Sequence, residues 1–254
     1  GQTEAPLVVR PYLERMTRSE IMCLMTGGMA TIAGAVLVAF MDILGGDDPV
    51  KQVEVGKYLI SASIMAAPGA IICAKMIVPE IGEVDPNLKV ARDTIGVNVF
   101  DAITVGTSQG VNLAVNVGAI VIVFLALMAL INHVTMEWIG SWTGINQLIS
   151  DATKERYEGL TLQFLFGVLF APVAFLIGID SGNLLVVGQL LGQKMVLNEF
   201  VAFTDMKHLV DQGYLENSKS FAITTFALCG FANFSSMGIQ IGGIGVLAPG
   251  QRGN

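Results

Sequence analysis

The feature that most constrains this chain is a set of long stretches without a charged side chain. Residues 21–41, 102–136, 159–179 and 220–251 contain no Asp, Glu, Lys or Arg. A helix needs about 20 apolar residues to cross roughly 30 Å of hydrocarbon, and each of these runs is long enough. Residues 58–79 qualify too if Lys75 snorkels or faces protein. The composition agrees: 53% of the 254 residues are hydrophobic and 14% are charged, against about 25% charge in an ordinary soluble domain. The runs predict an all-α polytopic membrane protein.

The remaining charge excludes several classes. The net charge is −7, and no basic stripe exists to neutralise phosphates, so no nucleic acid partner is expected. Basic residues such as Arg10, Arg15, Arg18, Lys154 and Arg156 sit in short connecting stretches mixed with acids. That mixture assigns no membrane sidedness. Cys23, Cys73 and Cys229 lie in apolar runs without C-x-x-C spacing and read as small buried hydrophobes. His133 and His208 fall at segment ends, far apart, and do not read as metal ligands. P-loop, Rossmann, H-E-x-x-H and G-x-S-x-G patterns are absent, so neither an enzyme nor a bound cofactor is expected.

Punctuation divides the runs. Thr17 and Glu20 have capping-box spacing. Pro68-Gly69 predicts a kink or break in the second span, and Pro172 interrupts the run near 160–178. Residues 94–109 alternate apolar with polar and glycine positions and are expected to lie along the membrane surface. A third span follows, near 113–131. Residues 137–157 form a connector whose Trp138 and Trp142 suit an interfacial belt. Residues 184–197 and 200–210 are two apolar pieces, each too short to span, around Asn198-Glu199. They predict a re-entrant hairpin, with Gly188-x-x-x-Gly192 as a close-packing face. The last run is interrupted by Ala232-Asn233-Phe234-Ser235-Ser236, which predicts a discontinuous helix. A short helix after Gly1-Gln2-Thr3-Glu4, followed by the span 21–41, pairs with a second set beginning at Asn198-Glu199, the twofold correspondence of an inverted-repeat transport domain. Three regions follow: 1–93, the second arm of a first hairpin and the next spans; 94–157, scaffold-like; and 158–254, the second hairpin and the broken helix.

A carboxylate inside such a protein is costly unless it binds something, which singles out the tips at Glu4 and Glu199. Ionised carboxylates accept hydrogen bonds from hydroxyls; Gln2 and Asn233 offer a donor and an acceptor each; Thr3 and Ser236 offer hydroxyls. Phe200 or Phe231 can stack on a flat ring. This combination fits a nucleoside better than a phosphate or a lipid. Carbonyls at broken helix ends can hold a cation. Plainer readings stand beside these: Glu199 satisfied by Lys194, Phe231 as packing, Asn233 and Ser236 as helix–helix glue, and Lys75 and Lys194 as snorkelling or paired side chains.

Several motifs together resemble the concentrative nucleoside transporter family. They are Gly1-Gln2-Thr3-Glu4-Ala5-Pro6, Met16-Thr17-x-Ser19-Glu20, Gly27-Gly28-Met29-Ala30-Thr31-Ile32-Ala33-Gly34, Ala67-Pro68-Gly69-Ala70, 194–200 (Lys-Met-Val-Leu-Asn-Glu-Phe) and 229–245. The resemblance implies symport of nucleosides with Na+ or H+, elevator-type alternating access, a homotrimer with a static scaffold, two re-entrant hairpins and two broken helices. It implies an integral protein in lipid, in a bacterial inner membrane. By motif position, Gln2, Thr3 and Glu4 resemble the base-contacting tip, and Val36 the apolar wall beside it. Glu199, Asn233 and Ser236 resemble the ribose-binding set, Phe231 its aromatic neighbour, and Thr31 and Ile32 sodium contributors. It also implies an internal fragment, truncated at both ends, of a longer protein. The reading from another class is a gate-type membrane protein acting in a partner complex without nucleoside transport. A membrane enzyme would need a nucleophile or metal set that the chain does not display.

Overall fold

Side-chain caps mark where many helices of this chain begin. In the computed structural model, which describes residues 2, 6, 9–82, 98–215 and 217–253, every regular element is helical. After a single turn, α1 (Arg10–Leu13), helix α2 (Arg18–Ala30) opens with a closed capping box. Thr17 Oγ1 accepts from the Glu20 amide at 3.1 Å, and the Glu20 carboxylate accepts from the Thr17 amide at 2.8 Å. The chain then breaks at Thr31, whose backbone is extended, and resumes as α3 (Gly34–Gly45). Asp48 caps α4 (Pro49–Ile77), and Asn98 caps α5 (Val99–His133). The connector continues through a wide π-type segment, Val134–Gly140, and a turn at Ser141–Thr143 into α6 (Ile145–Ala152).

The C-terminal part repeats the pattern of short helices. Thr161 caps α7 (Leu162–Leu176). Helices α8 (Leu184–Val196) and α9 (Glu199–Asp211) are each 13 residues, about 20 Å long, and meet at Leu197-Asn198. Each arm is shorter than the hydrocarbon it would need to cross, as expected for a hairpin that enters and returns. The second broken helix is α10 (Ser218–Leu228) and α11 (Phe234–Leu247), capped by Asn217 and Asn233.

Three expectations change. Pro68 does not interrupt α4, and Pro172 does not interrupt α7; both sit inside continuous helices. A proline removes one amide bond, and the flanking turns carry the helix past it. The amphipathic stretch is not a separate surface helix: from its Asn98 cap it runs unbroken into the third span. That helix has 35 residues, about 50 Å at 1.5 Å per residue, so its length exceeds the hydrocarbon layer. The start of the stretch, 94–97, lies outside the described residues. Among the described residues, α4 is long and apolar enough to cross a bilayer by length and composition.

The main core joins α3 and α4 to α8, α9 and α10 through Phe40, Leu59, Val187, Leu190, Phe203, Met206 and Leu228. Phe40 stacks on Phe203 with centroids 4.0 Å apart and meets Phe200 edge-on at 5.0 Å. Gly188-x-x-x-Gly192 is a close-packing face, directed at α7 rather than at the other hairpin arm. A Cβ on Gly188 would lie 2.4 Å from the Gly167 carbonyl oxygen, and one on Gly192 would lie 2.5 Å from Phe166 Cβ. A smaller cluster brings Met128 of α5 against Leu197 and Val201 at the hairpin tip.

Candidate functional site

The two helix breaks meet. Gly230, in the second break, lies so close to the last turn of α2 that a Cβ there would sit 2.7 Å from the Met29 oxygen and 2.9 Å from the Ala30 oxygen. Those carbonyls are at a helix C-terminus, where the last four lack intrahelical partners and carry partial negative charge. Thr31 Oγ1 donates back to the Gly27 oxygen at 2.9 Å. Ile32 is buried in the main core, and Val36, one turn into α3, packs against that core. The Thr31–Ile32 pair therefore stands at a carbonyl-rich break, a setting suited to a cation.

At the second tip, Asn198 caps α9 by accepting from the Val201 amide at 2.9 Å. This fixes Glu199 as the first helical residue, 4% exposed. Its Oε2 accepts from Asn233 Nδ2 at 2.7 Å. Asn233 uses its other atom, Oδ1, to accept from the Ser236 amide at 2.7 Å and so cap α11. Asn233 and Ser236 are buried, and Phe231 is half-buried against the main core. The predicted ribose set is thus assembled in space: tip carboxylate, break carboxamide and the first turn of α11.

Lys194 is not the hydrogen-bond partner of Glu199. It donates to the Ala227 oxygen at 2.7 Å, satisfying a carbonyl in the last turn of α10. Its role is a helix-end cap beside the tip. Gln2 is half-buried against Gly28 of α2. Thr3 and Glu4 lie outside the described residues, so their pairing with the second tip stays an expectation.

Local pattern missed two features. A buried network ties the hairpin to the connector: Tyr157 donates to Gln189 Oε1 at 2.9 Å, and Gln189 and Gln193 both donate to Asp205 Oδ2. Burial pushes the Tyr157 phenol well above its ordinary range, so it remains a donor. The second feature is Gln240, buried on α11 and bonded to the Met25 oxygen at 3.2 Å. The signal for it was available, since Asn233, Ser236 and Gln240 fall at i, i+3 and i+7 and share one helix face.

Over residues 58–254 the chain matches the family described as Na+ dependent nucleoside transporter C-terminus. A Haemophilus influenzae protein named as an uncharacterized transporter is 43% identical, covering 99% of this chain and 56% of that protein. The nucleoside permease NupC of Helicobacter pylori is 39% identical, covering 98% of this chain and 54% of the permease. The structure of CNTnw in an inward-facing substrate-bound state is 39% identical with a TM-score of 0.79, covering 100% of this chain and 55% of that one. An intermediate state of a CNTnw variant gives a TM-score of 0.84 at 39% identity, covering 100% of this chain and 56% of that one. The chain spans a little more than half the length of these relatives. A helical fold shared at this identity, with the family match running through both halves of the second broken helix, makes the chain an integral membrane protein that belongs to the Na+ dependent nucleoside transporter family, and specifically to its C-terminal part.

Proposed function

We propose that the full-length protein carries nucleosides across a bacterial inner membrane in symport with Na+ or H+, working as a homotrimer, and that this chain supplies most of the solute site. The observation that carries the reading is the buried Glu199 carboxylate, held by Asn233 at the junction of a hairpin tip and a broken helix. A buried carboxylate with one amide donor retains acceptor capacity. Ribose hydroxyls are donors of the right kind, and Ser236 and the flat ring of Phe231 adjoin the same break. The chemistry is binding and release, with no bond made or broken.

A cation would be held by carbonyls of the α2 break around Thr31 and Ile32. Because Gly230 rests on that break, the cation and the solute would order the same contact. With either one absent, buried polar groups are left unpaired, and an orphaned group costs about 1–3 kcal/mol. Closure is therefore favoured when both are bound, which is the requirement for symport. The elevator reading rests on the packing of the tip against α5, the scaffold-like helix.

The test is uptake of uridine by the full-length protein in proteoliposomes. Glu199→Gln is expected to lower saturable uptake by about 10- to 100-fold, the loss of a hydrogen bond to a charged group worth roughly 1.5–3 kcal/mol. Uptake at the wild-type level would remove Glu199 from the site. Replacing Na+ by choline assigns the coupling ion: loss of uptake identifies Na+, and retained uptake that a protonophore abolishes identifies H+.

A further inference from the structure

We propose that Gln240 is a further substrate-recognition residue, accepting a hydrogen bond from an N–H group of the bound base alongside Gln2. The proposal rests on the nucleoside reading above and adds a residue and a selectivity to it. Three observations carry it. Gln240 is 1% exposed, and while its Nε2 donates to the Met25 oxygen at 3.2 Å, its Oε1 has no partner. Gln2 Oε1 is likewise buried and without a partner. The two side chains converge on one notch, made by the missing side chain of Gly28: a Cβ there would lie 2.5 Å from Gln240 Nε2, 3.2 Å from Gln2 Cα and 3.8 Å from Gln2 Cβ.

Two orphaned carboxamide oxygens, on the two side chains that pack at Gly28, are the acceptors of the proposed site. Phosphates and carboxylates, which bring further acceptors, are disfavoured there; a ligand that presents N–H groups is favoured. The register of α11 relates this notch to the ribose set. Gln240 lies seven residues beyond Asn233 on the same face, roughly 10 Å along the axis. Asn233, Ser236 and Gln240 thus form a buried polar line on α11. Glu199 bonds to it at one end, and Gln2 lies beside it at the other. A sugar carrying its base is the kind of solute that reaches from one end to the other, with ribose at Glu199 and the N–H edge of the base at the notch. The competing role is pure packing, in which Gln240 only ties α11 to α2 through the Met25 carbonyl.

The two roles separate in a ligand comparison. Binding of uridine and of 3-methyluridine, which replaces the N3–H donor by a methyl group, is measured by calorimetry on the full-length protein in detergent. For Gln240→Leu the expected result is an affinity for uridine about tenfold weaker, the loss of one hydrogen bond. The affinity for 3-methyluridine should stay near its wild-type value, so the preference collapses. Gly28→Ala, which displaces the Gln240 amide from the notch, should give the same selective loss in a chain that keeps Gln240. Parallel weakening of both ligands, or an unchanged preference in both variants, overturns the proposal and leaves Gln240 as packing or as a site for a bridging water. A wild-type protein that binds neither ligand overturns the nucleoside reading, and this inference with it.

Discussion

Asn233 performs two tasks with one carboxamide: its nitrogen holds the Glu199 carboxylate and its oxygen caps α11. Removing it is expected to act on both. Asn233→Leu forfeits a cap worth about 1 kcal/mol and leaves a buried acceptor unpaired at a further cost of about 1–3 kcal/mol. The expected outcome in a thermal-shift measurement is a lower melting temperature and no upward shift on adding uridine. An unchanged melting temperature would show that neither bond matters to the fold. The identities of Asn233 and Glu199 were legible in the sequence, because a carboxylate and a carboxamide interrupting apolar runs require a reason to be there. The partnership between them was not fully legible. Lys194 stood nearer to Glu199 in the sequence, yet it turns to the Ala227 carbonyl, since a buried helix end also demands a partner. Proximity along the chain does not identify the hydrogen-bond partner of Glu199.

Among elements, caps and breaks were the most readable features. The Thr17–Glu20 box, the Asn198 tip and the Asn233 break all use short polar side chains where the backbone leaves helical geometry. Prolines mark no break here, because a helix tolerates one lost amide bond when neighbours hold it on both sides. The amphipathic start of α5 misled for a different reason: a helix longer than the bilayer carries its own polar extension, which mimics a separate surface helix. The junction of α2 with the end of α4 could not be read at all, since it depends on Glu80. That carboxylate accepts from Lys75 Nζ at 2.7 Å and from Thr17 Oγ1 at 3.0 Å, while Ser19 donates to the Val78 oxygen at 2.6 Å. Chiefly through Lys75, the Glu80 carboxyl is held below the ordinary carboxylate range. A depressed folded-state pKa contributes stability above the unfolded value of about 4.3, and that contribution is lost as pH falls through the folded value. Protection of the first-turn amides of α2, measured relative to intrinsic exchange at each pH, should therefore fall below about pH 4 in the wild type, whereas Glu80→Gln should remove this acid dependence. Identical exchange profiles for the two proteins would place the junction elsewhere.

At the scale of the whole molecule, the hairpin tip is packed between a broken helix and α5. Met128 of α5 lies with Leu197 and Val201 in one buried cluster. If the hairpin moves past α5 during transport, a bond between them stops it. Met128→Cys with Leu197→Cys in a full-length background without other cysteines should transport when reduced and stop when oxidised, with activity restored by dithiothreitol. Uptake that persists through complete cross-linking would mean the tip and α5 travel together. The uncharged runs of the sequence fall on apolar helices, α2 with α3, α5, α7 and α10 with α11. The crossing of the two breaks was not legible in the sequence, because it joins residues about 200 positions apart through a contact that only a missing side chain permits. That contact has a thermodynamic corollary. Gly230 rests directly on the carbonyls of Met29 and Ala30, so under the proposed assignment no relay would separate the ion's end of the site from the solute's. Binding equilibria that share one contact obey reciprocity: whatever factor the ion adds to the affinity for nucleoside, the nucleoside returns to the affinity for the ion.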